Sequence, residues 1–110
     1  MISRRYTDEF SVIRPTVGLD SGGAEIEQAA PVVSTSMGYV EDLGAMEVAQ
    51  LSALDIVAQK RLYCSPQLSI LTTDRVEIES GDHVGEFEVV KVERFGGKNT
   101  HLEVLLYNAQ

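Results

Sequence analysis

Apolar and polar positions alternate with a period of two over several short stretches of the chain, the mark of half-buried strands. The cleanest run is Val76-Glu77-Ile78-Glu79-Ser80. Gly81-Asp82-His83-Val84-Gly85 follows it and reads as a turn with a glycine at each end. Glu86-Phe87-Glu88-Val89 then alternates in one phase and Val90-Lys91-Val92-Glu93 in the opposite phase. A slip of one residue inside a strand predicts a β-bulge. Gly96-Gly97-Lys98-Asn99 supplies the next turn, and Thr100 to Tyr107 a closing strand with Leu102, Val104 and Leu106 on one face. These three strands form an antiparallel meander whose core face is Val76, Ile78, Phe87, Val89, Leu102, Val104 and Leu106.

The first two thirds of the chain carry weaker signals. Residues 1–9 are mixed and polar and read as a tail, with residues 10–110 as a single domain. Phe10, Val12 and Ile13 predict a strand that Pro15 stops. Val17 to Gly23, with Gly18, Asp20, Ser21, Gly22 and Gly23, reads as a flexible loop, and Ala24 to Ala30 is weakly patterned. Val32 to Val40 predicts a second strand, with Val33, Thr35, Met37 and Tyr39 on one face and Ser34, Ser36 and Gly38 on the other; Glu41, Asp42 and Gly44 break it. Ala45 to Leu54 is the helical candidate. Met46, Ala49 and Ala53 recur at helical spacing, Val48, Leu51 and Leu54 widen the stripe, and Asp42 is the candidate N-cap. A helix this short must pack on something. Ile56 to Cys64 predicts a further strand, ended by Pro66. About six short strands and one short helix suggest a mainly β fold, a small antiparallel β-barrel with extended loops, since closure removes exposed strand edges.

Composition narrows the function classes. The chain has 110 residues, one domain's worth, with no apolar run long enough to span a membrane as a helix. Arg4 and Arg5 are followed by Thr7, Asp8 and Glu9 with no apolar stretch, so no secretory signal is expected. Nine Lys and Arg against 17 Asp and Glu give a net charge of −8, which disfavours tight nucleic-acid binding because phosphate contacts need cations. The single cysteine, Cys64, cannot form an internal disulfide, so the core alone must hold the fold.

The chain shows no catalytic set. His83 and His101 each lie at or beside a turn, and neither falls in a metal-ligand spacing, so no metal or cofactor is expected. Cys64, on a strand before Pro66, reads as a small buried hydrophobe rather than a nucleophile. Gly96-Gly97-Lys98 lacks the rest of a phosphate loop: Val92 stands where a glycine is needed and Asn99 where a hydroxyl is needed. The carboxylate pairs Glu77/Glu79, Glu86/Glu88 and Glu41/Asp42 read as a solvated acidic face. A binding or structural role is therefore favoured over an enzyme.

The order of these pieces resembles the head-tail joining proteins of long-tailed bacteriophages, also called head completion or stopper proteins. The resemblance rests on Ser11-Val12-Ile13-Arg14-Pro15-Thr16 with the loop holding Asp20, Gly22 and Gly23, and on the helix from Met46 to Leu54. It continues through Arg61-Leu62-Tyr63, Asp74-Arg75-Val76, the Gly81 to Gly85 turn, Phe87 to Val92, and Leu102-Glu103-Val104-Leu105-Leu106. The chain departs from the family where it lacks a Trp before the helix and where Asp42-Leu43-Gly44-Ala45 opens the helix. The resemblance implies a virion protein of the neck, a ring of about 6 or 12 copies built on heterologous contacts. It implies docking beneath the portal and adaptor, closure of the channel over packaged double-stranded DNA, and a surface for tail attachment, with no membrane involved. Under this reading the loops Asp20-Ser21-Gly22-Gly23 and Glu41-Asp42-Leu43-Gly44 are the candidates for channel closure or subunit contact. A tail terminator or another neck ring protein is the neighbouring reading, and an acidic β-barrel that binds a basic protein partner is the reading from a different class.

Overall fold

The computed structural model describes residues 6–19, 22–23, 25–28, 32–97 and 100–108. In chain order these form β1 (Asp8–Ile13), β2 (Thr16–Leu19), β3 (Glu25–Gln28), β4 (Val32–Asp42), α1 (Ala45–Ser52), β5 (Lys60–Cys64), β6 (Arg75–Ile78), β7 (Gly85–Phe95) and β8 (His101–Tyr107). Six strands close a barrel in the order β1-β4-β5-β8-β7-β6, with β6 pairing back onto β1 and every pairing antiparallel. The small six-stranded barrel with one short helix that the alternation suggests is the fold of this chain.

The meander β6-β7-β8 follows the pattern closely. β6 and β7 pair from Arg75 opposite Glu88 to Ile78 opposite Gly85. The ladder between β7 and β8 slips register between Val89 and Lys91, where the alternation changes phase. All seven expected core residues of the meander are buried, and Phe10, Val12, Val40, Leu62, Cys64 and Ile70 complete the cluster. In β4 the inward face is the small one. Gly38 leaves the room that Leu62 and Phe10 occupy: a Cβ there would lie 2.7 Å from Leu62 Cδ1 and 2.9 Å from Phe10 Cε1. Val33 and Met37 face outward and are exposed.

The barrel begins earlier than the expected tail allows. Asp8 and Glu9 belong to β1, and Asp8 is buried with its Oδ2 accepting the Val40 amide at 2.9 Å. Glu9 N donates to Ser80 Oγ at 2.9 Å, and Gly81, at φ 90°, lies so close to Asp8 Oδ1 that any Cβ would overlap it. The β6-β7 turn is thus tied to the start of β1.

Part of the segment expected to be a loop is a hairpin. β2 pairs with β3, from Thr16 opposite Gln28 to Leu19 opposite Glu25. It prolongs the β1-β4 ladder, which slips register between Val12 and Ile13 just before Arg14 and Pro15. The hairpin forms its own two-stranded sheet and, among the described residues, pairs with no barrel strand. The molecule measures 54 × 31 × 27 Å with a radius of gyration of 15.3 Å. A compact domain of this length has about 13 Å. The difference fits a barrel that carries an arm.

Helix α1 caps the outside of the barrel. Its N-cap is Gly44, without a side-chain cap, so Asp42 does not take that role; it ends β4 instead. The helix closes after Ser52, two residues short of the expected end, in a Schellman motif: Ile56 N donates to Leu51 O at 2.9 Å and Asp55 N to Ser52 O at 3.0 Å. Asp55 takes the left-handed position at φ 61° that glycine ordinarily fills. Leu51 and Ile56 pack on an outer cluster of Leu43, Ala58 and Leu105. Residues 56–59 are held as a connection rather than a strand, with Gln59 N donating to Leu106 O at 2.8 Å and β5 starting at Lys60.

Candidate functional site

The two segments singled out from the sequence sit in contrasting surroundings. Gly22 and Gly23 lie at the tip of the β2-β3 arm, both exposed, with Gly23 at φ 85°; Asp20 and Ser21 fall outside the described residues. A glycine fits that backbone where a Cβ would strain it. Lys98 and Asn99 of the β7-β8 turn also fall outside the described residues.

The second segment is not a free turn. Glu41 and Asp42 are the last residues of β4, and Leu43 is buried against Ala58 and Leu105. Leu43 N donates to Gln59 O at 3.0 Å. Glu41 Oε1 accepts from Tyr63 Oη at 2.7 Å and from Arg61 at 3.4 Å. Asp42 Oδ1 accepts from Lys60 Nζ at 2.5 Å, and that bond holds its carboxyl below the usual carboxylate range. Gly44 is exposed, with open space where a Cβ would sit.

Around this segment the outer wall carries a polar and aromatic cluster that sequence reasoning missed. Arg61 reaches Glu47 Oε2 at 2.6 Å and Glu103 Oε1 at 3.3 Å besides Glu41. Partial burial works against its charge, yet the hydrogen bonds and charges of Glu47 and Tyr63 together outweigh it, so its pKa lies above the ordinary value. Its neighbours meet because β4, β5 and β8 are adjacent and alternate residues share the outward face. Glu41 stands opposite Arg61, and Tyr39 opposite Tyr63. The period-two pattern around Arg61 and Tyr63 was readable; their cross-strand partners depend on register.

The residues considered for chemistry are all engaged structurally. Cys64 is fully buried, and burial pushes its thiol up to about 12, the opposite of an activated nucleophile. His101 stacks on Phe95, ring centroids 5.2 Å apart, and its Nε2 lies 2.9 Å from Glu103 Oε2. His83 sits 3.0 Å from Lys60 Nζ at the β6-β7 turn. Glu77 on β6, Glu79 just after it, and Glu86 and Glu88 on β7 are exposed, whereas of the pair Glu41/Asp42, also expected on a solvated face, Glu41 is half-buried and held by Tyr63 and Arg61. Among the described residues no group of three or more His, Cys, Asp or Glu is placed to hold a metal, and no helix is long and apolar enough to cross a membrane.

At the base of the arm lies the best-built polar joint. Arg14 Nε donates to Asp74 Oδ1 at 2.9 Å and its Nη2 to Asp74 Oδ2 at 3.0 Å, while the Leu71 amide donates to the same Oδ2 at 2.9 Å. Burial of Asp74 would raise its carboxyl, but the Arg14 and Leu71 hydrogen bonds and the Arg14 charge outweigh it and hold it low. A cavity of about 420 Å³ opens beside the joint, lined by Pro15, Thr72, Thr73, Asp74, Arg75, Glu88, Val89 and Val90.

No family model matches the chain, and no curated protein matches it. Among solved structures it is similar to the solution structure of protein SF1141 from Shigella flexneri 2a. The TM-score is 0.81 at 18% identity, over 99% of this chain and 97% of that one. At that identity the likeness speaks to the barrel-and-arm fold.

Proposed function

We propose that this chain is a structural ring protein of the head-tail junction of a long-tailed bacteriophage, a stopper that closes the DNA channel of the filled head and receives the tail. The observation that carries the reading is the arm. A two-stranded ribbon is marginal on its own in water, and its outer edges invite pairing. An arm of this kind on a closed barrel suits contact with a neighbouring subunit or reach into a channel, with Gly22 and Gly23 at its tip. The motif Arg14-Pro15 and the motif Asp74-Arg75-Val76, both part of the family resemblance, meet at the arm's base through the Arg14–Asp74 pair. The net charge of −8 suits a wall past which DNA slides without being held.

Between the two segments considered for closure, the arm tip is the better candidate, because Glu41, Asp42 and Leu43 are tethered. Deleting the gene in its phage tests the reading. Filled heads and free tails that fail to join, rescued by adding the purified protein, are the expected result; normal numbers of joined infectious particles overturn it. Cryo-electron microscopy of the particle separates the stopper from the tail terminator by placing the ring beside the adaptor or beside the tail tube.

A further inference from the structure

Strand β4 is longer than the strand beside it. It pairs with β5 only from Tyr39, opposite Tyr63, to Asp42, opposite Lys60; residues 32 and 34–38 pair with β1 alone. After Cys64 the chain turns, with Leu68 N donating to Ser65 O at 3.3 Å and Ile70 buried in the core, so β5 runs no further alongside β4. Alternate residues of an antiparallel strand direct both backbone groups to the same neighbour. Val40 N points to the β1 side, where it meets Asp8, and Leu43 N to the β5 side, where it meets Gln59 O. Thr35 and Met37 share the phase of Leu43, so their N–H and C=O groups point past the end of β5. Among the described residues nothing pairs with them on that side.

Proteins guard open edges with charge or proline. The other long strand is guarded in this way. Past its bulge β7 pairs with β8 alone, and there it carries Lys91, Glu93 and Arg94, the last donating to Pro66 O at 2.6 Å. The open edge of β4 has neither device. Residues 32–37 read Val-Val-Ser-Thr-Ser-Met, and Val32, Val33, Thr35 and Met37 are exposed. The arm supplies a matching piece. A two-stranded ribbon is marginal alone, and among the described residues neither β2 nor β3 takes a third strand. β3 carries Glu25 and Glu27, whereas β2, Thr-Val-Gly-Leu, is uncharged like the open edge of β4. Two arms paired through β3 would set like charges side by side; β2 against β4 sets none. At about 3.3 Å per residue, β2 spans about 13 Å and residues 32–37 about 20 Å, so the first fits within the second.

We infer that β2 of one copy of this chain adds as a strand to the open edge of β4, at Thr35 and Met37, in a second copy. Main-chain hydrogen bonds hold the contact, as in strand addition to any exposed edge. It joins two different surfaces of the chain, so it is heterologous and, repeated from copy to copy, closes a ring. The choice of a second copy as occupant rests on the ring reading proposed above; the open edge does not.

Sedimentation equilibrium of the full chain tests this. Wild type should gain mass above the monomer between about 10 µM and about 1 mM, the range a small interface allows. Met37→Pro removes an N–H that faces the open edge and none that faces β1. Met37→Lys keeps the N–H and adds a guarding charge at an exposed side chain. A chain in which Thr16 is joined to Gln28 through an Asn-Gly turn keeps the edge and lacks the arm. Melting curves check that each barrel is intact. Each variant alone should associate at least ten-fold more weakly than wild type. Met37→Lys mixed with the armless chain should form a one-to-one heterodimer, because one supplies the arm and the other the edge. Wild type that stays monomeric throughout, or a mixture that does, overturns the proposal. So does an armless chain that associates as wild type does, which points to β4 pairing with β4, or Met37 variants that do, which points to arm on arm. None of these outcomes decides the neck reading, which the gene deletion tests separately.

Discussion

The same pair of chain segments builds two unlike regions of this molecule. Below Arg14 and Pro15, β1 and β4 are staves of a closed barrel, each with a partner, and their inward side chains reach the common core. Beyond that point β2 and β3 pair in a sheet of their own, and among the described residues neither takes a third strand. Closure makes the difference. In the barrel, hydrogen bonding and burial reinforce each other across six strands; in the arm, two strands pair in a sheet of their own. The barrel and the two-stranded arm are thus separate sheets, and the Arg14–Asp74 joint marks the boundary.

The largest effects should come from the barrel. Phe87 is 3% exposed in the core, and Phe87→Ala should cost about 3–5 kcal/mol in chemical denaturation; a loss under about 1 kcal/mol would place that side chain outside the core. Gly38→Ala should cost about 3 kcal/mol, because one of the atoms it meets, Tyr63 O at 2.7 Å, is backbone and cannot rotate away. Near-wild-type stability in that variant would mean that β4 and β5 can separate cheaply.

At the boundary, Asp74→Ala should cost about 2 kcal/mol, since it strips the partner from Arg14 and the acceptor from the Leu71 amide. The pH dependence has a definite sign. The folded carboxyl titrates below its unfolded value of about 3.9. Its contribution is therefore complete above that pH and is lost as pH falls through the folded value. The stability gap between wild type and Asp74→Asn should shrink below about pH 4; a gap unchanged down to pH 2 would refute the assignment.

Smaller effects sharpen the contrast. Asp55→Gly should stabilise by about 1 kcal/mol, because glycine takes φ 61° without the cost a side chain carries there. Cys64, with its thiol pushed up to about 12 by burial, should resist a disulfide reagent at pH 8 until the barrel unfolds. Labelling within seconds would show that the end of β5 opens locally.

What was legible in the sequence tracks this division. The meander could be read residue by residue, bulge included, because half-burial forces strict alternation and Gly81 and Gly97 mark its turns. The arm was half hidden. Thr16–Leu19 is four residues with a glycine inside, too short for alternation to show, and Gly18, Gly22 and Gly23 look like a loop. The helix could be located, but its buried side could not. Met46, Ala49 and Ala53 form the more regular stripe, yet Leu51, the bulkier contact, faces the barrel through the cluster of Leu43 and Leu105. Glu41 and Asp42 look like strand breakers in one dimension. Their partners Arg61, Tyr63 and Lys60 come from β5, and only the β4-β5 register reveals that they extend the strand. The Arg14–Asp74 joint spans 60 residues, a distance that no local pattern carries.

The measurement that bears most directly on this account is a variant in which Thr16 is joined to Gln28 through an Asn-Gly turn, removing the arm. Because the arm pairs with no barrel strand, the denaturation midpoint should correspond to a change under about 1 kcal/mol. Under the proposed neck role, heads carrying the shortened protein should fill and then leak DNA. A variant that folds as well as wild type and yields fully sealed, infectious particles would contradict the role given to the arm. One whose barrel no longer folds would contradict the separation of stability from contact on which the account rests.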